Sequence, residues 1–417
     1  MSQFGWIDFS PDDRNKVKNV LALLTEPGTL DELGIGQIRD AYSDLLFPGI
    51  STIQTRAKYF IFVTRILRDY ERMSSKEKKR VGYSQAYLQR QENLVAERLV
   101  RKNKKAKGII GSTAVDSGGV KRRPSAVYWN GLRTFEIVNT ESSLADFCRA
   151  MDQAADSYDP GVETDIAADD KDVSRRHSFC RLPPGDVKHN SDWLESRNLD
   201  LKLNKAEAQF LKNKITGAKK TADSLISQIL KSDLLEKILE ASDDIEKVDF
   251  DLLVKYVRKE KCIDESCKLT LIKAQEFSLA MEGPHILYNI LVARTHQQDQ
   301  HVELYEKEFQ TWLRDVRAKK LFAADKVRSW IDHLALPETK IPPSARDFVI
   351  NFGKLIAQKG TRAELEECIS KRAKQKGDKS YLVRKPKSDG WLGLRRLNYR
   401  WGTARHILED IQGGLDA

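Results

Sequence analysis

Apolar residues repeat at helical spacing along most of the chain, whereas runs that alternate apolar and polar residues are few and short. The pattern predicts a mainly α, multi-helix fold with two to three helical subdomains. At most a small β element is expected, near residues 107–140 or 170–190. Near residue 400, five apolar residues share one narrow face at about 100° per residue: Leu397, Trp401, Ala404, Leu408 and Ile411.

Proline and glycine pairs set the predicted helix ends in the first part of the chain. Ser10-Pro11 is typical of a helix start, because serine caps the free amide groups and proline fits the first helical position. We expect this helix to end at Pro27-Gly28 and a second helix to end at Pro48-Gly49. A third helix is expected to begin at Ser51 or Thr52.

The same reasoning predicts further helices later in the chain. A long charged helix is expected over Ser84–Lys102, and a short helix is expected to start at Pro124. Gly283-Pro284 is expected to end a helix that begins at Leu269. Gly413-Gly414 is expected to end the last helix.

Breakers and an acidic run suggest where the chain divides into domains. Residues 155–195 are the least regular part, with acidic residues over 159–172 and the breaker Pro183-Pro184-Gly185. A second boundary is marked by prolines 337, 342 and 343. The predicted order is an N-terminal helical domain (1–135), an irregular connecting segment (136–195), a helical middle domain (196–343) and a basic C-terminal helical domain (344–417).

The positive charge of the chain is concentrated in two windows, although the whole chain carries only +10. Residues 71–107, the first basic window, hold twelve Lys/Arg and four Asp/Glu, a net of +8. Residues 371–405, the second basic window, hold twelve Lys/Arg and two Asp/Glu, a net of +10, which leaves −8 for the remainder. Such windows attract phosphate, acidic proteins or anionic membranes; two solvated lysine-rich surfaces are the alternative.

Basic and aromatic residues are interleaved in residues 122–129 and 391–401, a combination that fits phosphate contact together with base stacking. Arg400 and Arg405 flank the last apolar face and are expected to stay exposed, whereas Trp401 is expected in the core. The residues predicted to contact phosphate are Arg56, Lys58, Lys102, Lys104, Lys105, Arg122, Arg123, Lys385, Arg395, Arg396 and Arg400.

The segment Pro48–Lys58 is the most distinctive short candidate for an anion site. A helix start exposes amide groups that bind anions, and Arg56 and Lys58 lie one turn further on. Capping of the helix, with core packing by the aromatic residues that follow, is the alternative. The two possibilities differ in whether Arg56 faces a ligand or the protein itself.

Catalytic signatures are missing from the sequence. The run Gly217–Thr221 lacks the leading glycine of a phosphate-binding loop, and no His-x-Lys-x-x-x-x-Asp of a phospholipase-D-type nuclease occurs. Cys262 and Cys267 have no second pair at zinc spacing, and the histidines within 285–301 do not share one helix face. We therefore assign no catalytic, cofactor-binding or metal-binding residue, and the sequence favours a protein that is not an enzyme.

Apolar runs and cysteine usage bear on location. The run Tyr59–Ile66 is far shorter than the ~20 residues that span a bilayer. The first ten residues lack the pattern of a signal peptide, and five irregularly spaced cysteines indicate reduced thiols. We expect a cytoplasmic protein with no membrane partner and no disulfide framework.

Several stretches resemble an uncharacterised bacterial family of unknown function: Gly5–Ser10, Leu33–Ala41, Leu46–Ala57, Pro124–Leu132 and Leu397–Trp401. The resemblance extends over essentially the whole chain. That family is similar in gene context to anti-phage defence components encoded near helicases and phospholipase-D-like nucleases. The resemblance implies an accessory role in a defence system and carries over no catalytic residue.

Three hypotheses of function follow. The first is a non-catalytic nucleic-acid-binding subunit of an anti-phage defence complex, with DNA as the expected nucleic acid and a helicase or nuclease as partner. The second is a protein-interaction scaffold that docks such a partner. The third is a metal-dependent nuclease whose site is assembled from scattered residues. Under the first hypothesis, the two basic windows are predicted to converge on one face.

Overall fold

The computed structural model describes residues 31–102, 107–112, 120, 122–153, 179–183, 193–194, 199–232, 234–240, 248–335, 341–386 and 390–417. Helices account for 67% of the structure. Within the described residues the β structure is limited to one antiparallel bridge between Val138 and Cys180. The prediction of a mainly α fold with at most a small β element is therefore confirmed.

The first eight helices precede residue 231 and vary from 6 to 19 residues in length. In chain order they are α1 (Gly36–Leu46), α2 (Lys58–Arg72), α3 (Ser75–Val81), α4 (Ser84–Lys102), α5 (Pro124–Thr134), α6 (Leu144–Gln153), α7 (Lys205–Gly217) and α8 (Leu225–Leu230).

The later helices include the longest of the described part, at 31 residues. They are α9 (Leu234–Glu240), α10 (Phe250–Val257), α11 (Glu265–Thr295), α12 (Asp299–Ala318), α13 (Ala324–Asp332), α14 (Pro343–Ala357), α15 (Arg362–Lys374) and α16 (Trp401–Leu415).

The chain packs into two compact units, each built from two separated segments. Among the described residues, the first unit comprises those within 31–42 and 269–399, and the second comprises those within 43–268 and 400–417. The helix predicted after Ser10 and the acidic run over 159–172 lie outside the described residues. The four consecutive domains expected from the sequence stay a prediction.

Aromatic side chains form the core of the first unit. Tyr42 packs against Phe277, with ring centroids 5.9 Å apart, and its hydroxyl donates to the carbonyl of Trp330 at 2.7 Å. Tyr399 meets the ring of Tyr42 edge-on and donates to the Ala274 carbonyl at 2.5 Å. Buried tyrosine hydroxyls thus satisfy backbone carbonyls within an otherwise apolar core.

Gly283-Pro284 does not end a helix, because α11 continues through both residues. The indole of Trp312 lies where a side chain on residue 283 would be, and a Cβ there would sit 2.3 Å from the ring. The same indole donates to the Leu279 carbonyl at 2.7 Å, one turn before the proline. Close packing by α12 and this added hydrogen bond outweigh the local tendency of proline to break the helix.

The second unit has its core around the start of α2. The ring of Tyr128 on α5 lies 4.8 Å from Phe60 and 5.5 Å from Tyr59, both on α2. Trp401, at the start of α16, is buried as predicted, and its indole donates to the Val248 carbonyl at 3.1 Å. Helices α2 and α5, which are distant in sequence, therefore meet through aromatic rings.

The last helix starts later and ends later than predicted. The apolar face beginning at Leu397 suggested an earlier start, but α16 begins at Trp401. It runs through Gly413-Gly414 to Leu415. Gly414 packs so closely against α7 that a Cβ on it would lie 2.8 Å from the Cβ of Ala208. Gly414 is therefore a close-packing position and not a helix stop.

A buried carboxyl group holds α4 and the start of α5 together. Glu92 is almost fully buried, and its Oε1 accepts from the Ser125 amide at 2.5 Å. The guanidinium of Arg123 approaches the other oxygen, with its Nη1 at 3.8 Å from Oε2. Burial raises the pKa of Glu92 to about 7, against an ordinary value of 4.5.

This pKa predicts a pH-dependent stability. Because the folded state binds the Glu92 proton more tightly than the unfolded chain, the stabilisation is present at acidic pH. It is lost as pH rises through about 7, at a cost of up to roughly 3 kcal/mol. Glu92→Gln should therefore raise the melting temperature at pH 8 more than at pH 5, as measured by thermal denaturation. Glu97→Gln on the same helix is the matched control, and an equal change at both pH values contradicts the prediction.

Candidate nucleic-acid interface

The predicted anion site at the start of α2 holds an anion from the protein itself. The third helix begins at Lys58 and not at Ser51 or Thr52, because residues 51–57 form turns and extended backbone. The carboxylate of Asp410 on α16 accepts from the Ala57 amide at 2.8 Å and from the Arg56 guanidinium at 2.6 Å. This hydrogen bonding raises the pKa of Arg56.

Tyr128 fixes the same turn from the other side. Its hydroxyl oxygen accepts from the amides of Thr55 and Arg56 at 2.8 and 3.0 Å, and its hydrogen is donated to the Arg56 carbonyl at 2.9 Å. The amide groups that were predicted to bind phosphate are therefore satisfied internally. This part of the segment is built for packing.

Lys58 faces the interior. Its ammonium lies 2.5 Å from the carboxylate of Glu207 on α7, and both side chains are buried. Arg65 approaches the other oxygen of Glu207 at 3.5 Å. An ammonium that is desolvated and paired in this way has little capacity to recruit a second anion.

Other predicted cations of the second unit also bind protein groups. Lys102 donates to the Leu199 carbonyl at 3.0 Å, and Arg123 donates to the Gln89 carbonyl at 3.1 Å. Arg400 lies 2.5 Å from the carboxylate of Asp44. Arg122 is partly exposed just before α5, and the predicted lysines 104 and 105 lie outside the described residues.

Arg405 is buried, contrary to prediction, and only 7% of its surface is exposed. Its guanidinium donates to the Val248 carbonyl at 3.2 Å and lies 3.3 Å from Glu409 on the next turn of α16. The long aliphatic part of arginine packs beside the apolar face, so a position that flanks such a face can still be covered.

Within the first unit, the second basic window contains paired and unpaired cations. Arg395 stacks on Trp391 at 4.1 Å and lies 3.6 Å from Glu308, while Arg396 lies 3.5 Å from Glu282. Lys385 is exposed. Five exposed cations of this window form no ion pair within the described residues: Lys371, Lys374, Lys379, Arg384 and Lys385.

The clearest exposed basic surface of the second unit lies on α3. Lys76, Lys79 and Arg80 are exposed, share one face at i, i+3 and i+4 spacing, and form no ion pair with any described carboxylate. Between them Lys78 turns inward, with its ammonium 5.2 Å above the ring of Tyr70. Burial lowers the pKa of Lys78.

Tyr83 lies directly after this helix and is 76% exposed, the most exposed large hydrophobic side chain in the described part. Gly82, at φ +81°, separates it from α3. Arg90, one helical turn into α4, donates to the Val81 carbonyl and so remains beside the same turn. A ring and several cations therefore share one region, which we call the α3–Tyr83 surface.

An open cleft of about 360 Å³ adjoins Tyr83. Its lining combines apolar and polar surface and comprises Tyr83, Gln85, Cys148, Arg149, Asp152 and Gln153. Asp152 Oδ1 accepts from the hydroxyl of Tyr70 at 2.7 Å and from the Ser84 amide at 2.8 Å. Burial raises the pKa of the Cys148 thiol.

The α3–Tyr83 surface is missing from the residues predicted from the sequence. Its cations lie inside the first basic window, but Tyr83 carried no signal because exposure of an aromatic residue cannot be read from a single sequence. The capping box of α3, in which Ser74 and Glu77 exchange hydrogen bonds, was the available clue. It predicts a separate short helix between Ser74 and Gly82.

The structure offers no alternative centre for metal chemistry among the described residues. No group of three or more histidine, cysteine, aspartate or glutamate side chains is placed to hold a metal ion there. Cys262 is exposed and Cys267 is buried, and neither forms a disulfide. Over the same residues, no helix combines the length and the apolar character needed to cross a bilayer.

The fold and the surface together define a two-unit, mainly α-helical protein with an exposed basic and aromatic region. The chain belongs to a family of unknown function (DUF6361), whose model matches residues 1–343. No curated protein matches it. No solved structure matches it either.

Arg56 provides a test of the internal anion at the start of α2. Arg56→Ala leaves the Asp410 carboxylate without its guanidinium partner, so unfolding should become easier by about 2 kcal/mol, the cost of losing a charged hydrogen bond in a part-buried pair. Thermal denaturation measures this change, with the exposed Arg101→Ala as control. An unchanged melting temperature together with weaker nucleic-acid binding would return Arg56 to the ligand-binding role.

Proposed function

We propose that this protein is a non-catalytic nucleic-acid-binding subunit that holds the phosphate backbone on its α3–Tyr83 surface. The observation that carries the proposal is the conjunction of three exposed, unpaired cations with an exposed aromatic ring in the second unit. Cations contact phosphates without regard to sequence, and an aromatic ring adds stacking against any base.

Several cations first predicted to bind phosphate support the proposal less. Arg395, Arg396 and Arg400 each lie within 3.6 Å of a carboxylate. A phosphate must displace that carboxylate, so each of these cations contributes less to binding than an unpaired one. The same reasoning favours Lys76, Lys79 and Arg80, which have no described carboxylate to release.

The wider setting is part of the same proposal. We propose that the protein acts in the cytoplasm of a bacterium as an accessory subunit of an anti-phage defence complex, the role that the family resemblance implies. Its partners there are DNA and a helicase or nuclease. Convergence of the two basic windows on one face stays a prediction.

Salt dependence tests the binding. With a labelled oligonucleotide of about 12 nucleotides, log affinity should fall linearly with log salt, by about 0.9 for each phosphate neutralised. Replacing Lys76, Lys79 and Arg80 together by glutamine should weaken binding across sequences. It should also flatten the salt slope by up to roughly three units, since each cation contacts one phosphate.

The matched control removes the same charge elsewhere in the same unit. Lys255, Arg258 and Lys259 on and after α10 are also exposed and have no ion pair among the described residues. Their joint replacement by glutamine should leave the slope nearly unchanged if the α3–Tyr83 surface is the interface. Equal losses in both triple variants indicate a diffuse charge effect. No affinity for any DNA or RNA at low salt makes the scaffold hypothesis the better one.

A further inference from the structure

The cleft beside Tyr83 has features that a phosphate-binding surface does not need. Its volume of about 360 Å³ lies in the range of ~300–1,000 Å³ usual for small-molecule sites. A duplex presents only phosphates and groove edges to a convex helix such as α3. An open cleft bordered by an exposed ring suits a planar base that turns away from its sugar-phosphate backbone and enters the cleft.

We infer that the cleft between α4 and α6 receives an unpaired base of single-stranded nucleic acid, stacked on Tyr83 and hydrogen-bonded by Asp152 and the neighbouring glutamines. The inference rests on the proposed function and assigns its ligand class. Base stacking on an aromatic side chain is the common device of single-strand binding. A base within a duplex is already stacked and cannot enter.

Asp152 gives the cleft a chemical preference. Both of its hydrogen bonds within the described residues end on Oδ1, and they orient the carboxylate by tying it to Tyr70 and Ser84. Its Oδ2 accepts no hydrogen bond from any described residue. A carboxylate accepts from the exocyclic amino group of cytosine, whereas thymine presents a carbonyl oxygen at the same position and is repelled.

The other lining groups complement this carboxylate. Gln85 and Gln153 are exposed and supply amide donors for the ring acceptors of a base. Arg149 forms an ion pair with Asp146 at the rim, and Arg80 lies three residues before Tyr83 on the other side. Cations beside the cleft can therefore contact the phosphates of a strand while one of its bases occupies the cleft.

The first experiment compares three probes by fluorescence anisotropy, each labelled at one end only: an oligo-dC and an oligo-dT of about 12 nucleotides each, and a mixed-sequence duplex of equal length. The full-length protein should bind oligo-dC about tenfold more tightly than oligo-dT. It should bind both more tightly than the duplex, because only single strands fill the cleft.

Two variants isolate the ring and the carboxylate. Tyr83→Ala should weaken single-strand binding about tenfold and lower the ratio of single-strand to duplex affinity, while Tyr83→Phe should retain both. Asp152→Asn keeps an acceptor for Tyr70 and Ser84 but gives the cleft a donor, so the preference should move from oligo-dC towards oligo-dT. A ratio of affinities is used because it does not depend on the fraction of folded protein.

The outcomes separate the two proposals. Equal affinity for single strands and duplex, with no effect of Tyr83→Ala, overturns the cleft inference and leaves backbone binding intact. A preference for oligo-dC that persists in Asp152→Asn overturns the role of the carboxylate. Absence of binding to all three probes at low salt overturns the proposed function and the cleft inference with it.

Discussion

The carboxylate of Asp410 is the constraint on which the second unit depends. It neutralises Arg56, binds the Ala57 amide and so holds the turn that precedes α2. That turn positions the aromatic residues that pack against α5, and the hydroxyl of Tyr128 on α5 returns to the same turn. A residue close to the C-terminal end thereby fixes a helix start some 350 positions earlier.

Pairing of the same kind determines which cations of the protein remain available to a ligand. Of the cations in the two basic windows, several are bound by carboxylates or carbonyls, as Lys102 and Arg400 are. Cations that serve packing cannot also serve a ligand without displacing their partner. The excess charge that remains free lies at the edges of the units, where α3 projects Lys76, Lys79 and Arg80.

The presence of many helices could be predicted from the sequence, but the residues at which several of them begin or end could not. The sequence pattern predicted α4 over Ser84–Lys102 and the start of α5 at Pro124. The helix end predicted at Gly283-Pro284 was wrong because the helix is stabilised there by Trp312, a tertiary contact that local sequence does not show. For the candidate site, charge density indicated residues 71–107, the window that contains the cations of the α3–Tyr83 surface. Which cations are free depends on carboxylates distant in sequence, such as Asp410 and Asp44.

Helix α3 has a consequence for how such proteins can diverge. Its own capping box and Gly82 close its two ends, and Lys78 is the one side chain of the helix that is buried. The outward positions can therefore change charge with little effect on the core. A lineage meeting a different polyanion could retune its affinity by substituting these positions alone. In an alignment, we expect residues 76, 79 and 80 to stay basic wherever the ligand is kept and to change only with it, whereas position 78 stays constrained by burial.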